Sequence, residues 1–128
     1  MKKIINSSAA PAPVGPYNHS VKAGHLLFVS GQIALDPASG ELVMGNIEEE
    51  THQVMKNIIA ILTEAGMTLD HVVKASVFVS DMNDYSRINA VYSEYFDDLT
   101  APARELVEVA NLPKFVNIEI SVIAAEAT

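Results

Sequence analysis

The sequence predicts an α+β fold, a mixed β-sheet with two helices packed on one face. Three observations predict it. Short alternating apolar segments fill residues 2–34 and 104–124; a three-and-four-residue apolar period runs from Ile47 to Ala65; and one strand-like run, 71–80, separates that period from a second helical pattern. The chain is 128 residues long, with no repeat, low-complexity tract or linker, and reads as a single domain spanning 1–128.

Strands are expected at about 2–6, 18–23 and 25–34, the last bounded by Gly24 and by Asp36-Pro37-Ala38-Ser39-Gly40. The Ala23-Gly24 corner makes a hairpin of the second and third, and a short strand at 41–44 closes another. Between the first two, Ala-Ala-Pro-Ala-Pro-Val-Gly-Pro at 9–16 can extend neither ladder nor helix and reads as an extended ordered loop. The first helix carries Ile47, Thr51, Val54, Met55, Ile58, Leu62 and Ala65 on one face, with Asn46 as N-cap, Glu49 at capping-box spacing and Gly66 as its stop. A strand follows at 71–80. Asn83 or Asp84 then caps a second helix with the stripe Tyr85, Ile88, Val91, Tyr92, Tyr95, Phe96 and Leu99. Two last strands are expected at about 104–110 and 116–124. Helices on one face leave the other sheet face uncovered, and its apolar residues point to an oligomer interface.

Composition removes several functional classes. Hydrophobic residues are 49% of the chain, which excludes general disorder. The longest apolar run, Ile58-Ile59-Ala60-Ile61-Leu62, is far too short for a membrane helix, and no apolar segment follows Met1-Lys2-Lys3 as in a signal peptide. A cytoplasmic location is therefore expected. Eight basic against sixteen acidic residues give a formal net charge of −8, a surface that repels phosphate backbones, so nucleic acid is not expected as a partner. There is no cysteine, hence no thiolate nucleophile and no thiolate metal site. The histidines at 19, 25, 52 and 71 lack ligand spacing and read as surface or strand-edge residues, not metal ligands.

Two charges in apolar strands carry the chemical interest. Arg104 opens a strand that alternation marks as largely buried, where an arginine needs a carboxylate. That partner is either Glu108 or Glu119, in a structural ion pair, or the carboxylate of a ligand gripped by the guanidinium fork. Glu119, in Val116-Asn117-Ile118-Glu119-Ile120, is either a lone surface-facing side chain or a desolvated group that holds a water. Tyr17 sets an aromatic hydroxyl just after the proline loop. Ser30-Gly31-Gln32 interrupts a strand, which suggests a bulge or a close backbone approach.

Gly15-Pro16-Tyr17, Phe28-Val29-Ser30-Gly31-Gln32-Ile33, Asp81-Met82-Asn83-Asp84-Tyr85, Asn89-Ala90-Val91-Tyr92, Pro102-Ala103-Arg104, Leu112-Pro113-Lys114 and Ile118-Glu119-Ile120, in that order, resemble the Rid (YjgF-type) family. The likeness is greatest to its RidA subgroup of 2-iminobutanoate/2-iminopropanoate deaminases. It implies a chorismate-mutase-like fold, a homotrimer with a site at each subunit interface, and hydrolysis of the 2-imino and enamine acids released by pyridoxal-phosphate dehydratases. By that resemblance Arg104 grips the substrate carboxylate, Glu119 positions the hydrolytic water, and Tyr17, Ser30, Gly31 and Asn89 line the cleft. The Gly31 carbonyl would lie near the leaving nitrogen. The chain departs from the family at Leu106, often cysteine in relatives, and at Ser121, often acidic. Leu106 keeps a backbone N–H for the substrate carboxylate while changing pocket size. No metal or cofactor is required for this chemistry. The rival readings are an endoribonuclease or translation inhibitor, and a non-catalytic carboxylate-binding or chaperone-like module.

Overall fold

The structure is a computed structural model that describes residues 1–126. Six strands form one sheet: β1 (Lys3–Ile5), β2 (Ser20–Ala23), β3 (Leu26–Gln32), β4 (Val72–Val79), β5 (Ala103–Glu108) and β6 (Ile118–Ala125). Two helices, α1 (Ile47–Glu64) and α2 (Tyr85–Tyr92), complete the α+β architecture. The spatial order is β1-β2-β3-β6-β4-β5, antiparallel throughout except for the β4–β5 pair. β3 and β4 both run antiparallel to β6, which inserts between them last, so α1 joins parallel strands, as α2 does between β4 and β5. Both crossovers advance across the sheet in the same direction. The right-handed preference of such crossovers then puts both helices on the same face.

The main core lies between that face and the helices: Leu27, Val29, Ala75, Val77, Val79, Ile118, Ile120, Val122 and Ala124 meet Val54, Met55, Ile58, Ile61, Leu62 and Ile88. Each valine, leucine, isoleucine or methionine among them contributes roughly 1.5–3 kcal/mol by leaving water. Alternation sends the intervening residues to the other face. There Leu26, Phe28 and Val107 remain at least 40% exposed, with Phe78, Ile123 and Glu119 half-buried.

Local chemistry explains where elements start and stop. The Asn46 side chain accepts from the Glu49 N–H at 2.8 Å and caps α1. Gly24 at the β2–β3 corner has φ +60°, the left-handed conformation the hairpin turn needs. The expected strand at 41–44 reduces to one bridge between Leu35 and Leu42. The second helix also ends sooner than its stripe suggests. After Tyr92 the Glu94 and Tyr95 N–H groups bond three residues back, tightening the chain into turns. Phe96 still reaches the core, but Leu99 is 93% exposed. Its start is set by Asp81, which accepts from Asn83 N–H at 2.9 Å in a short 3₁₀ turn, while Asp84 gives no side-chain cap.

No helix among the described residues is long and apolar enough to cross a membrane.

Candidate functional site

The strand registers divide the expected site residues between the two sheet faces. Arg104 pairs with Ala75 and Leu106 with Val77, both of which point into the helix-covered core. Glu119 pairs with Phe78, which points to the open face. Within one chain Arg104 and Glu119 therefore belong to different surfaces, and each collects its own neighbours.

Around Arg104 the neighbours come from α2. The guanidinium donates from Nη1 to Asn89 Oδ1 at 2.7 Å and from Nη2 to the Tyr85 hydroxyl at 3.4 Å. Its carbon lies 4.8 Å from the Tyr92 ring centroid and 5.9 Å from that of Tyr85, within cation–π range. β5 is the sheet's edge, so the expected burial does not hold; its residues are half-buried or exposed. Neither expected ion pair forms. The Glu108 carboxylate accepts from the Met82 N–H at 2.8 Å, and no carboxylate among the described residues lies within salt-bridge distance of Arg104. The arginine is thus held by neutral groups, with unspent donors, beside an open hollow of about 290 Å³ whose lining includes Asn89, Tyr92, Phe96, Pro102 and Arg104, with the acidic Asp98 also on its wall. Leu106, two residues on, packs its side chain against the main core.

The second cluster forms where β3 meets β6. Val29 pairs with Val122 and Gln32 with Ile120, so β3 carries one extra residue: the expected bulge falls on Ser30-Gly31. There the Glu119 side chain folds over Gly31, so closely that a Cβ on Gly31 would stand 2.7 Å from Glu119 Cδ. Burial pushes the Glu119 carboxyl above the ordinary carboxylate range. No hydrogen-bond donor reaches it among the described residues. The Ser30 hydroxyl donates to the Asn18 carbonyl at 2.6 Å and so fixes the chain just beyond Tyr17. The Tyr17 hydroxyl accepts from the Val14 N–H at 3.3 Å, and Tyr17 and Gly31 line one hollow with Pro11, Pro13 and Leu35.

His19, expected at the surface or at a strand edge, is buried immediately before β2, where its carbonyl accepts from the Ser30 N–H. It is 3% exposed, and its Nδ1 accepts from the Ser7 N–H at 3.0 Å while Nε2 faces the Pro11 carbonyl at 2.6 Å. A ring that accepts on Nδ1 carries its hydrogen on Nε2, which donates to Pro11 and ties down the proline loop. Three further residues escaped sequence reasoning. Tyr85 and Tyr92 were legible only as an apolar stripe, although four- and three-residue spacing from Asn89 already set them on its helix face. Glu50, fully buried on α1, accepts from the Asn117 N–H and from Asn117 Nδ2, both at 2.8 Å, and so anchors the chain that enters β6 two residues before Glu119.

A family model described as Endoribonuclease L-PSP matches residues 7–126. A RutC family protein of Pyrococcus horikoshii is 51% identical over 97% of this chain and 98% of its own length. The 2-iminobutanoate/2-iminopropanoate deaminase of Bos taurus is 44% identical over 98% of this chain and 91% of its own. The crystal structure of the YjgF gene product from E. coli superposes with a TM-score of 0.91 at 41% identity, covering 98% of this chain and 99% of that one. Matches of this extent make the chain a member of the YjgF/Rid family.

Proposed function

We propose that the protein hydrolyses 2-imino and enamine acids, 2-iminobutanoate and 2-iminopropanoate, to 2-oxo acids and ammonia. The observation that carries this is Arg104: a guanidinium positioned by Asn89 and two tyrosines, paired with no carboxylate among the described residues, and open to a hollow. Such a fork binds a planar carboxylate bidentately. Fixing the carboxylate also fixes the adjacent C=N carbon.

Hydrolysis then needs one oriented water. Glu119 supplies a carboxylate in a partly desolvated setting, with a proton affinity raised by burial. It draws a proton from the water as oxygen bonds to the imine carbon, and passes that proton to nitrogen, which has taken up the C=N electron pair, giving the neutral carbinolamine. The carbinolamine collapses when Glu119 takes the hydroxyl proton and delivers it to nitrogen: the O–H electron pair becomes the C=O bond, the C–N bond breaks, and ammonia and a 2-oxo acid leave. The Gly31 carbonyl, beside Glu119, would accept from the departing nitrogen. Water and the imine balance the products without any further reagent.

One chain holds Arg104 and Glu119 on opposite sheet faces, so the complete site requires two protomers. We assign the open face, with Leu26, Phe28 and Val107, to contacts in a homotrimer whose clefts join the Arg104 cluster of one protomer to the Glu119 cluster of its neighbour. Support comes from the register and the uncovered apolar surface. The reading is supported at family level by the deaminase-named relatives, and net charge −8 favours it over RNA cleavage.

The test couples the protein to a pyridoxal-phosphate threonine or serine dehydratase and follows 2-oxo acid release, with semicarbazide competing for the imine. Faster release and less trapped imine are expected. Release at the uncatalysed rate refutes the reading.

A further inference from the structure

The hydroxyl of Tyr85 has an unused donor at the edge of the Arg104 cluster. Its oxygen already accepts from Arg104 Nη2 at 3.4 Å, so its own hydrogen points away from the guanidinium. No acceptor for it occurs among the described residues. The carboxylates on the same stretch of chain are engaged elsewhere: Asp81 caps the turn before α2, Asp84 lies 3.9 Å from Arg87, and Glu108, from β5, holds the Met82 N–H. The residue is 41% exposed, which leaves the hydroxyl facing solvent beside the open fork.

The geometry points to Tyr85 as a further carboxylate-binding residue, whose hydroxyl donates to the substrate carboxylate next to Arg104. This rests on the imine-hydrolase reading above and names a contact that Arg104 alone does not supply. Four observations make the hydroxyl more than a spectator. Asn89 holds the guanidinium by Nη1, the buried Tyr92 ring lies 4.8 Å from its carbon, and Nη2 leans on Tyr85, so the fork cannot turn without breaking a contact. A bound carboxylate placed on the remaining N–H groups is thereby brought toward the Tyr85 O–H. Finally, the Asn89 side chain and then the Arg104 charge hold the Tyr85 phenol below its ordinary range, the mark of a strengthened donor.

Tyr85→Phe keeps the ring and removes only the donor. Affinity for 2-oxobutanoate, measured by calorimetry, is expected to fall about tenfold. The KM for 2-iminobutanoate should rise in parallel, with kcat changed by less than about twofold. A role confined to orienting Arg104 is separated by repeating the comparison in Arg104→Lys, where the fork is gone. A direct contact still costs several-fold there, whereas an effect that vanishes in that background overturns the proposal. It is equally overturned if Tyr85→Phe binds 2-oxobutanoate like the native protein or loses kcat with KM unchanged. If the native protein binds no 2-oxo acid, the functional reading fails first and takes this one with it, a result seen before any Tyr85 variant is made.

Discussion

Glu119 occupies the space that a side chain at position 31 would need: a Cβ on Gly31 falls 2.7 Å from Glu119 Cδ and 2.8 Å from its Oε2. Gly31 is not among the positive-φ glycines, so glycine is required there for room and not for backbone conformation. Alanine fits the backbone, and the atoms it displaces are the free end of a flexible side chain. Gly31→Ala should therefore change stability by less than about 1 kcal/mol in urea titrations. The displaced carboxyl should lower kcat/KM for 2-iminobutanoate at least about tenfold. Native-like kinetics would show that the carboxyl's position is immaterial.

The raised proton affinity of Glu119 fixes the sign of a second expectation. Native protein binds this proton more tightly than the unfolded chain does. Stability therefore falls as pH rises from the ordinary carboxylate value through the raised one, and the loss persists above it. Glu119→Gln removes the ionisation and keeps the shape. Its Tm should exceed the native value at pH 7, and the gap should close in acid below the ordinary carboxylate range, while hydrolysis is lost. Thermal scans across pH check the sign; a variant less stable at pH 7 would refute it.

How far the sequence disclosed these features follows from the range of the interactions involved. The α1 cap and the Gly24 corner are local, each decided by residues within a few positions of one another, and each was legible; the bulge at Ser30-Gly31 was signalled by its glycine, although the strand it pairs with, β6, lies far along the chain. The short α2 was not, because periodicity continues through Phe96 although the turns after Tyr92 have left the helix. The parting of Arg104 from Glu119 was illegible for a deeper reason. It depends on β5 joining the sheet edge parallel to β4 and on β6 inserting beside β4, two pairings between segments distant in the chain. The burial of His19 and Glu50 likewise depends on partners 12 and 67 positions away, Ser7 and Asn117.

Glu50 offers a stability test of that long-range anchoring. Both its oxygens accept from Asn117, one from the backbone and one from the side chain, in a fully buried setting. Glu50→Gln leaves one oxygen for two donors, and the new NH₂ meets an acceptor only if the Asn117 amide turns over and withdraws its oxygen from the Ser80 hydroxyl. The expected cost is about 1–3 kcal/mol in denaturant unfolding. An unchanged midpoint would mean that the β6 entry is held by other contacts.

Arg104→Lys tests the fork itself, keeping the charge while removing the planar pair of donors. Lysine cannot reproduce the Nη1 bond to Asn89 together with a bidentate grip on a ligand. Turnover should fall at least about tenfold, and affinity for 2-oxobutanoate with it. Native rates in steady-state assays would remove Arg104 from its assigned role.

An intersubunit site makes a demand that neither cluster makes alone. Arg104→Ala and Glu119→Ala should each be inactive, because each spoils every site of its own assembly. Unfolded together in equal amounts and refolded, the two chains mix. Wherever the Glu119→Ala chain supplies Arg104 and the neighbouring Arg104→Ala chain supplies Glu119, a complete site returns. Random mixing restores up to about one quarter of the native activity. A site contained within one chain allows no such recovery, since every chain lacks one of the two residues. Activity of the refolded mixture, read against each variant refolded alone, decides between the two, and a mixture as inactive as its parents rejects the shared site.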